Sequence, residues 1–337
     1  MNNVTFPSVC APGEAINNLT LGRYSKGKHT RKPYQIDFGV GPWLVGEGVS
    51  AYTDTIERQD FQRISKGDEA KALYYTALGS LLGPGKHSVR GVMVGLPVDV
   101  TANESLRKST MRGISKILKG THTFTLDDEQ ITINVQSIAR CAQPVGAYTT
   151  WLQQQQTLPD GQVWGILDGG FNTLDAFAVQ YPRVIPKYTH AANLGMAEAC
   201  RDFANEFKRL TGRAISLQEA DNYLRERSPR VTFMDVGEVD LTPTKNTALD
   251  SLASKVIQFI RNKWGEPLPF AGLIFAGGQF EALRSRVVSH YPGAFVLNDS
   301  VMSIATGLKL QAEMIPKWRG GVTIGLDPGF GAIKAVM

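Results

Sequence analysis

The stretch GVTIGLDPGFGAIKAVM, residues 321–337, decides the fold class. It joins two apolar segments through a short glycine-rich segment that contains one aspartate, Asp327. This pattern predicts a strand, a tight turn and a second strand. Glycine lets backbone N–H groups come close to an anion, so a hairpin of this kind is typical of a loop that grips phosphate.

A second stretch of the sequence repeats the pattern. WGILDGGFN at 164–172 matches TIGLDPGFG at 323–331, and Asp168 takes the position of Asp327. An aspartate at the end of a strand can hold Mg²⁺, usually through its bound waters. A single Asp-x-Gly is also a common hairpin turn, and DFGVG at Asp37 is interpreted as one. Two matching copies favour phosphate binding over a plain turn.

Strands and helices alternate along the chain. Near-continuous apolar runs predict buried strands at 89–100 and 269–278, and an alternating pattern predicts one strand at 130–139. Apolar residues at helical spacing predict helices over 68–82, 106–119, 142–155, 196–210, 217–227, 248–264, 280–290 and 300–312. The alternation indicates the α/β class, with helices packed on sheets.

The overall composition is that of an ordinary globular protein, with 42% apolar and 20% charged residues. The length of 337 residues suits two domains. No apolar run reaches the roughly 18 residues that a membrane span needs, and the first residues do not resemble a signal peptide. The three cysteines and five histidines are scattered without metal-ligand or triad spacing. This cysteine usage indicates a reducing cytoplasm.

The net charge is +5, and the segment GRYSKGKHTRK at 22–32 is strongly basic. Such a segment can contact nucleic acid or an acidic partner. A solvated loop is the competing interpretation.

Two common nucleotide-binding motifs are disfavoured. A strand rather than a helix follows each glycine turn, unlike in dinucleotide-binding folds. The sequence also lacks GxxxxGK[ST], which excludes a P-loop NTPase.

Taken together, the motifs resemble the actin-like ATPases, and most closely the bacterial plasmid-partition actins of the ParM type. IGLDPGFGAIKAV resembles the first phosphate loop of that family, ILDGGFNTLDAFAV the second, and GLIFAGGQFEAL the adenosine motif. VMVGLPVDV and AQPVGAYTTWL are similar to the strand and connecting helix that precede the second loop. NDSVMSIATGLKL is similar to the helix after the adenosine motif. The resemblance spans most of the chain.

The resemblance implies an actin-like fold of two domains, each a sheet flanked by helices, with nucleotide bound between them. Domain I would comprise residues 1–150 plus 300–337, and domain II residues 151–299. In the family the first phosphate loop precedes the other motifs, whereas here it follows them. This order implies a circular permutant in which a linker at 314–321 joins the former C-terminal helix to the former first strand. We expect that linker to act only as a tether.

The resemblance also implies roles for individual side chains in ATP hydrolysis. Asp327 and Asp168 would face Mg²⁺ and its water shell. Lys334 would contact the phosphates as a point charge, although a solvated lysine at a strand end is the competing interpretation. Gln143 would orient the attacking water, although a capping side chain before Pro144 is the alternative. Turnover would be slow because glutamine is a poor base.

Backbone N–H groups of both loops would hold phosphate oxygens. The residues concerned are Gly329, Phe330 and Gly331 in the first loop, and Gly169, Gly170, Phe171 and Asn172 in the second. Asp175, seven residues after Asp168, would support the metal. The backbone at Gly277 and Gly278 would pass close to adenine or ribose. Glu198 and Lys208 are weaker candidates for the nucleoside pocket, since a surface helix carries such residues anyway.

The function implied by the resemblance is a nucleotide-driven filament. Binding of ATP or GTP with Mg²⁺ would favour polymerisation of the chain with itself, and hydrolysis would weaken the filament. In partition systems such filaments push plasmid copies apart through an adaptor protein bound to centromere DNA, so neither direct nucleic-acid binding nor a membrane is expected. A phage, chromosomal or magnetosome-type cytoskeletal role stays open.

Three other functions compete with the filament. A sugar or acetate kinase of the same superfamily would need a catalytic aspartate and a sugar-binding insertion, for which the sequence shows no clear candidate. A chaperone-like ATPase would need a substrate-binding domain after the ATPase core. A scaffold that holds nucleotide without turnover is disfavoured by the presence of both Asp168 and Asp327.

Overall fold

The computed structural model describes residues 2–14, 32–53, 64–155, 161–181 and 183–337. Two compact units divide the chain: Met1–Thr150 with Ile304–Met337, and Trp151–Ser303. The basic segment at 22–32 lies outside the described residues except for Lys32. Within the described ranges, no helix is long and apolar enough to cross a membrane.

A ten-stranded sheet lies in the first unit. Its strands are β1 (Asn3–Pro7), β2 (Cys10–Pro12), β3 (Tyr34–Asp37), β4 (Pro42–Val45), β5 (Gly85–Leu96), β6 (Gly120–Leu126), β7 (Glu129–Val135), β8 (Ile138–Ala142), β16 (Val322–Pro328) and β17 (Ala332–Val336). They are ordered β1-β17-β16-β5-β7-β6-β3-β4-β2, and β8 also pairs with β5. The stretch at 321–337 therefore forms an antiparallel hairpin inside the sheet, next to β5.

The helices of the first unit pack on this sheet. They are α1 (Gly67–Leu82), α2 (Val98–Ala102), α3 (Glu104–Leu118), most of α4 (Gln143–Gln153) and nearly all of α9 (Ser303–Glu313). Helix α1 shares one apolar core with the sheet, in which Leu78 lies among residues that include Ile324 and Leu326 of β16. Both β16 side chains are fully buried. The Asp-containing hairpin is thus a central part of the core.

The second unit contains a five-stranded sheet ordered β11-β10-β9-β14-β15. The strands are β9 (Val163–Gly169), β10 (Leu174–Gln180), β11 (Arg183–Ala192), β14 (Gly272–Ala276) and β15 (Phe295–Val296), with a separate hairpin of β12 (Arg230–Phe233) and β13 (Gly237–Asp240). Its helices are α5 (Met196–Thr211), α6 (Leu217–Arg225), α7 (Thr242–Trp264) and α8 (Gly278–His290). Ser216 and Glu219 begin α6 with a capping box.

Both predicted Asp-containing hairpins are confirmed, since β9–β10 and β16–β17 each pair antiparallel. The predicted plain turn at Asp37 is confirmed as well. Strands β3 and β4 pair across it, and the Gly39 N–H donates to Asp37 Oδ1 at 2.8 Å.

Several predicted boundaries were wrong by three residues or more, and three of the differences have a clear physical reason. The strand predicted at 89–100 ends at Leu96, because Pro97 cannot donate to a ladder and precedes α2. The strand predicted at 130–139 is two strands, β7 and β8, which both pair with the long β5. Helix α7 begins at Thr242 rather than at residue 248, since Pro243 fits the first turn of a helix.

The predicted linker at 314–321 does more than tether α9 to β16. It contains a 3₁₀ turn, Pro316–Trp318, and the Trp318 side chain is 1% exposed. The indole lies over Gly91 of β5, where an added Cβ would be 2.3 Å from the ring. The linker therefore contributes a buried aromatic residue to the first unit.

We predict that Trp318→Ala lowers the free energy of unfolding by about 3–5 kcal/mol, because it removes a fully buried indole and leaves a cavity. Lys317→Ala, at the exposed neighbouring position, should change it by less than about 0.5 kcal/mol. Urea denaturation followed by circular dichroism measures both. Equal effects of the two substitutions would show that the linker is only a tether.

The three cysteines, Cys10, Cys141 and Cys200, are all free. Burial raises the pKa of the Cys141 thiol to about 11, with a smaller opposing effect from the backbone of Ala142. Burial is also the largest cause of the raised pKa of Cys200. Both thiols are therefore protonated at neutral pH and are poor nucleophiles and metal ligands.

Candidate functional site

In the first unit, Asp327 and Lys334 lie directly opposite each other across β16 and β17. Lys334 Nζ is 2.8 Å from Asp327 Oδ2, and the two side chains are 12% and 1% exposed. The interpretation of Lys334 as a solvated strand end was therefore wrong. Each charge depends on the other, because an unpaired charge at this burial carries a large desolvation penalty.

Gln143, the first residue of α4, contacts the other oxygen of the same carboxylate. Its Nε2 donates to Asp327 Oδ1 at 2.6 Å, and the residue is buried. An ionised carboxylate only accepts hydrogen bonds, so the NH₂ end of the carboxamide must face Asp327. Gln143 Oε1 is then the acceptor that this side chain can offer to a water molecule.

Ser8, which sequence reasoning missed, holds the first loop from the end of β1. Its hydroxyl donates to Gly329 O at 2.5 Å, and its N–H donates to Gly331 O at 3.1 Å. The Gly329 N–H is shared between Asp327 O and Ala332 O, both at 3.1 Å. The Gly329 N–H, predicted to contact phosphate, therefore bonds within the loop.

In the second unit, the equivalent position opposite the aspartate is also an aspartate. Asp168 and Asp175 pair across β9 and β10, and their residues are 7% and 2% exposed. Cβ atoms of directly opposed residues lie about 4.5–5.5 Å apart. Two carboxylates this close fit Mg²⁺, which prefers hard oxygen ligands. No third potential metal ligand joins such a cluster in the described ranges, so phosphate and water would complete the coordination.

The second loop is tied to the start of α5 by backbone hydrogen bonds. They run from Gly195 N–H to Asn172 O (3.2 Å), Met196 N–H to Gly170 O (3.1 Å) and Ala197 N–H to Phe171 O (2.7 Å). The loop carbonyls thus satisfy N–H groups that a helix start leaves without partners. Within the loop, the Gly170 N–H donates to Thr173 O (2.9 Å). Because the Gly170 N–H bonds within the loop, the amides of Phe171 and Asn172 are the better candidates for phosphate contact.

The predicted adenosine motif packs against the second loop. Gly277 has a φ of +89°, and an added Cβ would lie 2.3 Å from Gly169 O and 2.7 Å from Asp168 Oδ1. Only glycine fits this position. The predicted metal ligand Asp168, the loop residue Gly169 and the glycine of the adenosine motif are therefore in direct contact within the second unit.

Three more residues near the contact between Gly277 and the second loop were missed in the sequence analysis. Gln279 is 1% exposed, donates from Nε2 to Leu194 O at 3.0 Å, and has no partner for Oε1 among the described residues. Arg225 Nη1 is 3.5 Å from Gly278 O, and Arg225 Nε is 2.9 Å from Asp221 Oδ2. Asp221 and Arg225 are four residues apart on α6, a spacing that predicts an ion pair on a helix, so this pair was predictable from the sequence.

The two weaker nucleoside candidates have different surroundings. Glu198 lies in the first turn of α5, next to the second loop, and is ion-paired with Arg201 and with Lys255, the latter at 3.3 Å. The hydrogen bond from Arg201 lowers the pKa of Glu198 against the opposing effect of burial. Lys208 is exposed and lies about 18 Å along α5 from Met196. The structure thus brings Glu198, but not Lys208, to the second loop.

Two domain families match most of the chain. The family described as "Actin like proteins N terminal domain" matches residues 1–146. The family described as "Archaeal actin homologue MreB-like, C-terminal" matches residues 166–288. No curated protein sequence matches this one.

Several solved structures have a similar fold. The archaeal actin homolog Ta0583 has a TM-score of 0.71 at 19% identity, covering 91% of this chain and 92% of that one. ParM from a 15-stranded Clostridium botulinum filament has a TM-score of 0.69 at 18% identity, covering 90% of each chain. Apo psk41 ParM has a TM-score of 0.63 at 16% identity, covering 92% of this chain and 90% of that one.

These likenesses confirm the α/β actin-like fold that the resemblance implies. The two domain families match separate, consecutive parts of the sequence, and each is an actin family. Residues 1–146 and 166–288 are thus each similar to an actin-family domain, and the fold is actin-like.

Proposed function

We propose that this chain binds ATP or GTP with Mg²⁺, polymerises in the nucleotide-bound state, and hydrolyses the nucleotide slowly to weaken its filaments. The observation that carries the proposal is the matched pair of hairpins. Each places a buried aspartate opposite the residue seven positions later, which is Lys334 in one hairpin and Asp175 in the other. One hairpin thus offers a cation for phosphate, and the other offers carboxylates for a metal.

The contacts of Asp327 support a division of labour between the hairpins. Both carboxylate oxygens of Asp327 already accept hydrogen bonds from Lys334 and Gln143. In our proposal Asp327 therefore faces the water shell of the metal and holds those two side chains in place. Lys334 then contacts the phosphates, while Asp168, supported by Asp175, holds Mg²⁺. Bound Mg²⁺ would neutralise charge on the phosphates during hydrolysis.

Gln143 would place the attacking water, because Asp327 fixes the donating end of its carboxamide and Oε1 remains to accept from water. Its role would be geometric, consistent with slow turnover. Gly277 and Gly278 would accommodate the nucleoside, and the guanidinium of Arg225 beside Gly278 adds a charged group there. Domain I would be residues 1–150 plus 300–337, and domain II residues 151–299.

The similar structures support polymerisation and nucleotide binding by analogy. One is a ParM filament, and Ta0583 has been solved in complex with ADP. We extend this to plasmid DNA segregation in the cytoplasm, driven through an adaptor protein bound to centromere DNA.

Light scattering after addition of Mg-ATP, with phosphate release followed in the same sample, tests the function. We expect a rise in scattering and then a decay that tracks phosphate release. The same measurement with Mg-GTP gives the nucleotide preference. Phosphate release with flat scattering would contradict the filament and point to a small-molecule kinase or another ATPase of the superfamily. The absence of both signals would contradict the proposal as a whole.

We predict that Asp168→Asn lowers the rate of phosphate release at least tenfold, which equals about 1.4 kcal/mol of lost transition-state stabilisation. The scattering decay should slow in proportion, because filaments that keep their nucleotide last longer. Asp299→Asn, the same change at an exposed position, is the control and should leave both rates unchanged. Wild-type phosphate release in the Asp168 variant would remove Asp168 from the proposed metal site.

We predict that Lys334→Gln weakens ATP binding at least tenfold, or about 1.4 kcal/mol, because it removes the phosphate cation. The substitution also leaves Asp327 buried without its ion-pair partner, which destabilises a fold by about 3–5 kcal/mol. The double variant Lys334→Gln/Asp327→Asn should recover most of that stability without recovering affinity. Calorimetric titration and urea denaturation separate the two effects. Restored affinity in the double variant would show that Lys334 acts only through the fold.

We also propose that the chain is a circular permutant of the family order. The supporting observation is that β17 pairs with both β16 and β1, while the Met337 N–H donates to Asn2 O at 2.9 Å. The hairpin therefore continues into β1 in space, as it would in the family order along the chain.

A rearranged chain tests the permutation. It begins at Gly321, joins Met337 to Met1, and ends at Gly320. Trp318 stays in the rearranged chain next to β5. We expect its ATP affinity to be within about twofold of the original. A change in loop connection alters the free energy by only about 0.6 kcal/mol per doubling of loop length. A rearranged chain that folds but does not bind ATP would contradict the proposal.

A further inference from the structure

Helix α3 carries an exposed basic stripe, defined as Lys108, Arg112, Lys116 and Lys119, that the proposed function does not use. All four residues are exposed, and Lys119 directly follows the last residue of the helix. At about 100° per residue, their spacings place them within an arc of about 80°. The stripe is therefore one continuous face of the helix.

The opposite side of α3 is fixed in the core. Ile114, Ile117 and Leu118 are buried and belong to the apolar core of the first unit. On the same helical wheel they lie about 80–180° away from the residues of the stripe. Core packing therefore determines that the basic face points outward.

Most of the charge on the stripe is not compensated within the protein. Lys108 pairs with Glu104 at 2.6 Å, and both side chains are more than half exposed. Arg112, Lys116 and Lys119 form no ion pair with the described part of the chain. Arg107 does not belong to the stripe, since it donates to Thr101 O at 2.8 Å and so supports the end of α2.

The chemistry of the stripe favours nucleic acid over a protein or a membrane. Protein interfaces are enriched in aromatic residues and depleted in lysine, and the stripe has no aromatic residue. A helix that binds a membrane surface inserts an apolar face, but the apolar face of α3 lies in the core. Cations four residues apart repeat about every 6 Å along a helix, close to the roughly 7 Å of axis that separates every second phosphate of one DNA strand.

We propose that α3 binds the phosphate backbone of duplex DNA directly through this stripe, without reading base sequence. This goes beyond the proposed function, in which DNA is reached only through an adaptor. A single copy of the chain would bind weakly and with strong salt dependence. Because the measurement needs no nucleotide and no filament, its outcome is independent of the proposed ATPase and polymerisation.

Fluorescence anisotropy of a short labelled duplex of mixed sequence, titrated with the full chain without nucleotide, tests the proposal. We expect dissociation constants of about 10⁻⁴–10⁻⁶ M that weaken steeply between about 50 and 200 mM salt. The variant Arg112→Gln/Lys116→Gln/Lys119→Gln should bind at least tenfold more weakly. Its slope of log K against log salt should be shallower by about 2–3, because each phosphate contact contributes about 0.9.

Two matched variants separate the stripe from net charge and from folding. Arg227→Gln/Lys263→Gln/Lys317→Gln removes the same charge from exposed positions elsewhere and should change the slope by less than about 1. Arg112→Lys/Lys116→Arg/Lys119→Arg keeps the charge and should keep the binding. Circular dichroism checks that each variant folds. If the triple variant does not fold, the single variants Arg112→Gln and Lys116→Gln test the proposal instead. Each should make the salt slope shallower by about 0.9.

Three results would overturn the proposal. The first is that the original chain does not bind the duplex at low salt. The second is that neutralising the stripe and neutralising the scattered control weaken binding equally, which would reduce the effect to net charge. The third is tighter binding to vesicles of anionic lipid or to an acidic peptide than to the duplex at the same salt, which would assign the stripe to another polyanion.

Discussion

The buried ion pair between Asp327 and Lys334 is the interaction on which the first unit depends most. Its two charges are nearly excluded from water, so any arrangement that separates them leaves a buried charge uncompensated. A slip of one residue between β16 and β17 would move one partner to the other face of the sheet. The pair therefore fixes the hairpin register, and through Asp327 it also fixes Gln143 at the start of α4.

Both hairpins are predictable from the sequence because their signals are local. Apolar strands around a glycine turn are local signals, and a spacing of seven residues sets which side chains oppose each other once the turn forms. The division of 130–139 into β7 and β8 was not predictable in this way. It depends on the length of β5, a strand far away in the sequence, which has room to pair with both. Tertiary pairing here overrides a continuous local pattern.

Prediction of the candidate site failed for residues whose contacts are distant in sequence. Ser8 reaches a loop more than three hundred residues away, and Gln279 reaches the carbonyl of Leu194. Neither side chain belongs to a motif with a recognisable spacing. Trp318 looked like part of a linker because its neighbours Lys317 and Arg319 are polar, whereas only the structure shows that Gly91 leaves room for the indole. Such contacts follow from the assembled sheet and not from any local pattern.

The two hairpins share a backbone arrangement and differ in charge, and this difference is more informative than the similarity. Asp327 with Lys334 is neutral as a pair, and its ammonium can attract an anion. Asp168 and Asp175 place two carboxyl groups opposite each other, and two buried carboxylates side by side need a cation, a shared proton or donated hydrogen bonds nearby. A Mg-nucleotide presents both an anionic phosphate chain and a divalent cation. Taken separately, the charge of the first hairpin suits the phosphate that the proposed function assigns to it, and the charge of the second suits Mg²⁺.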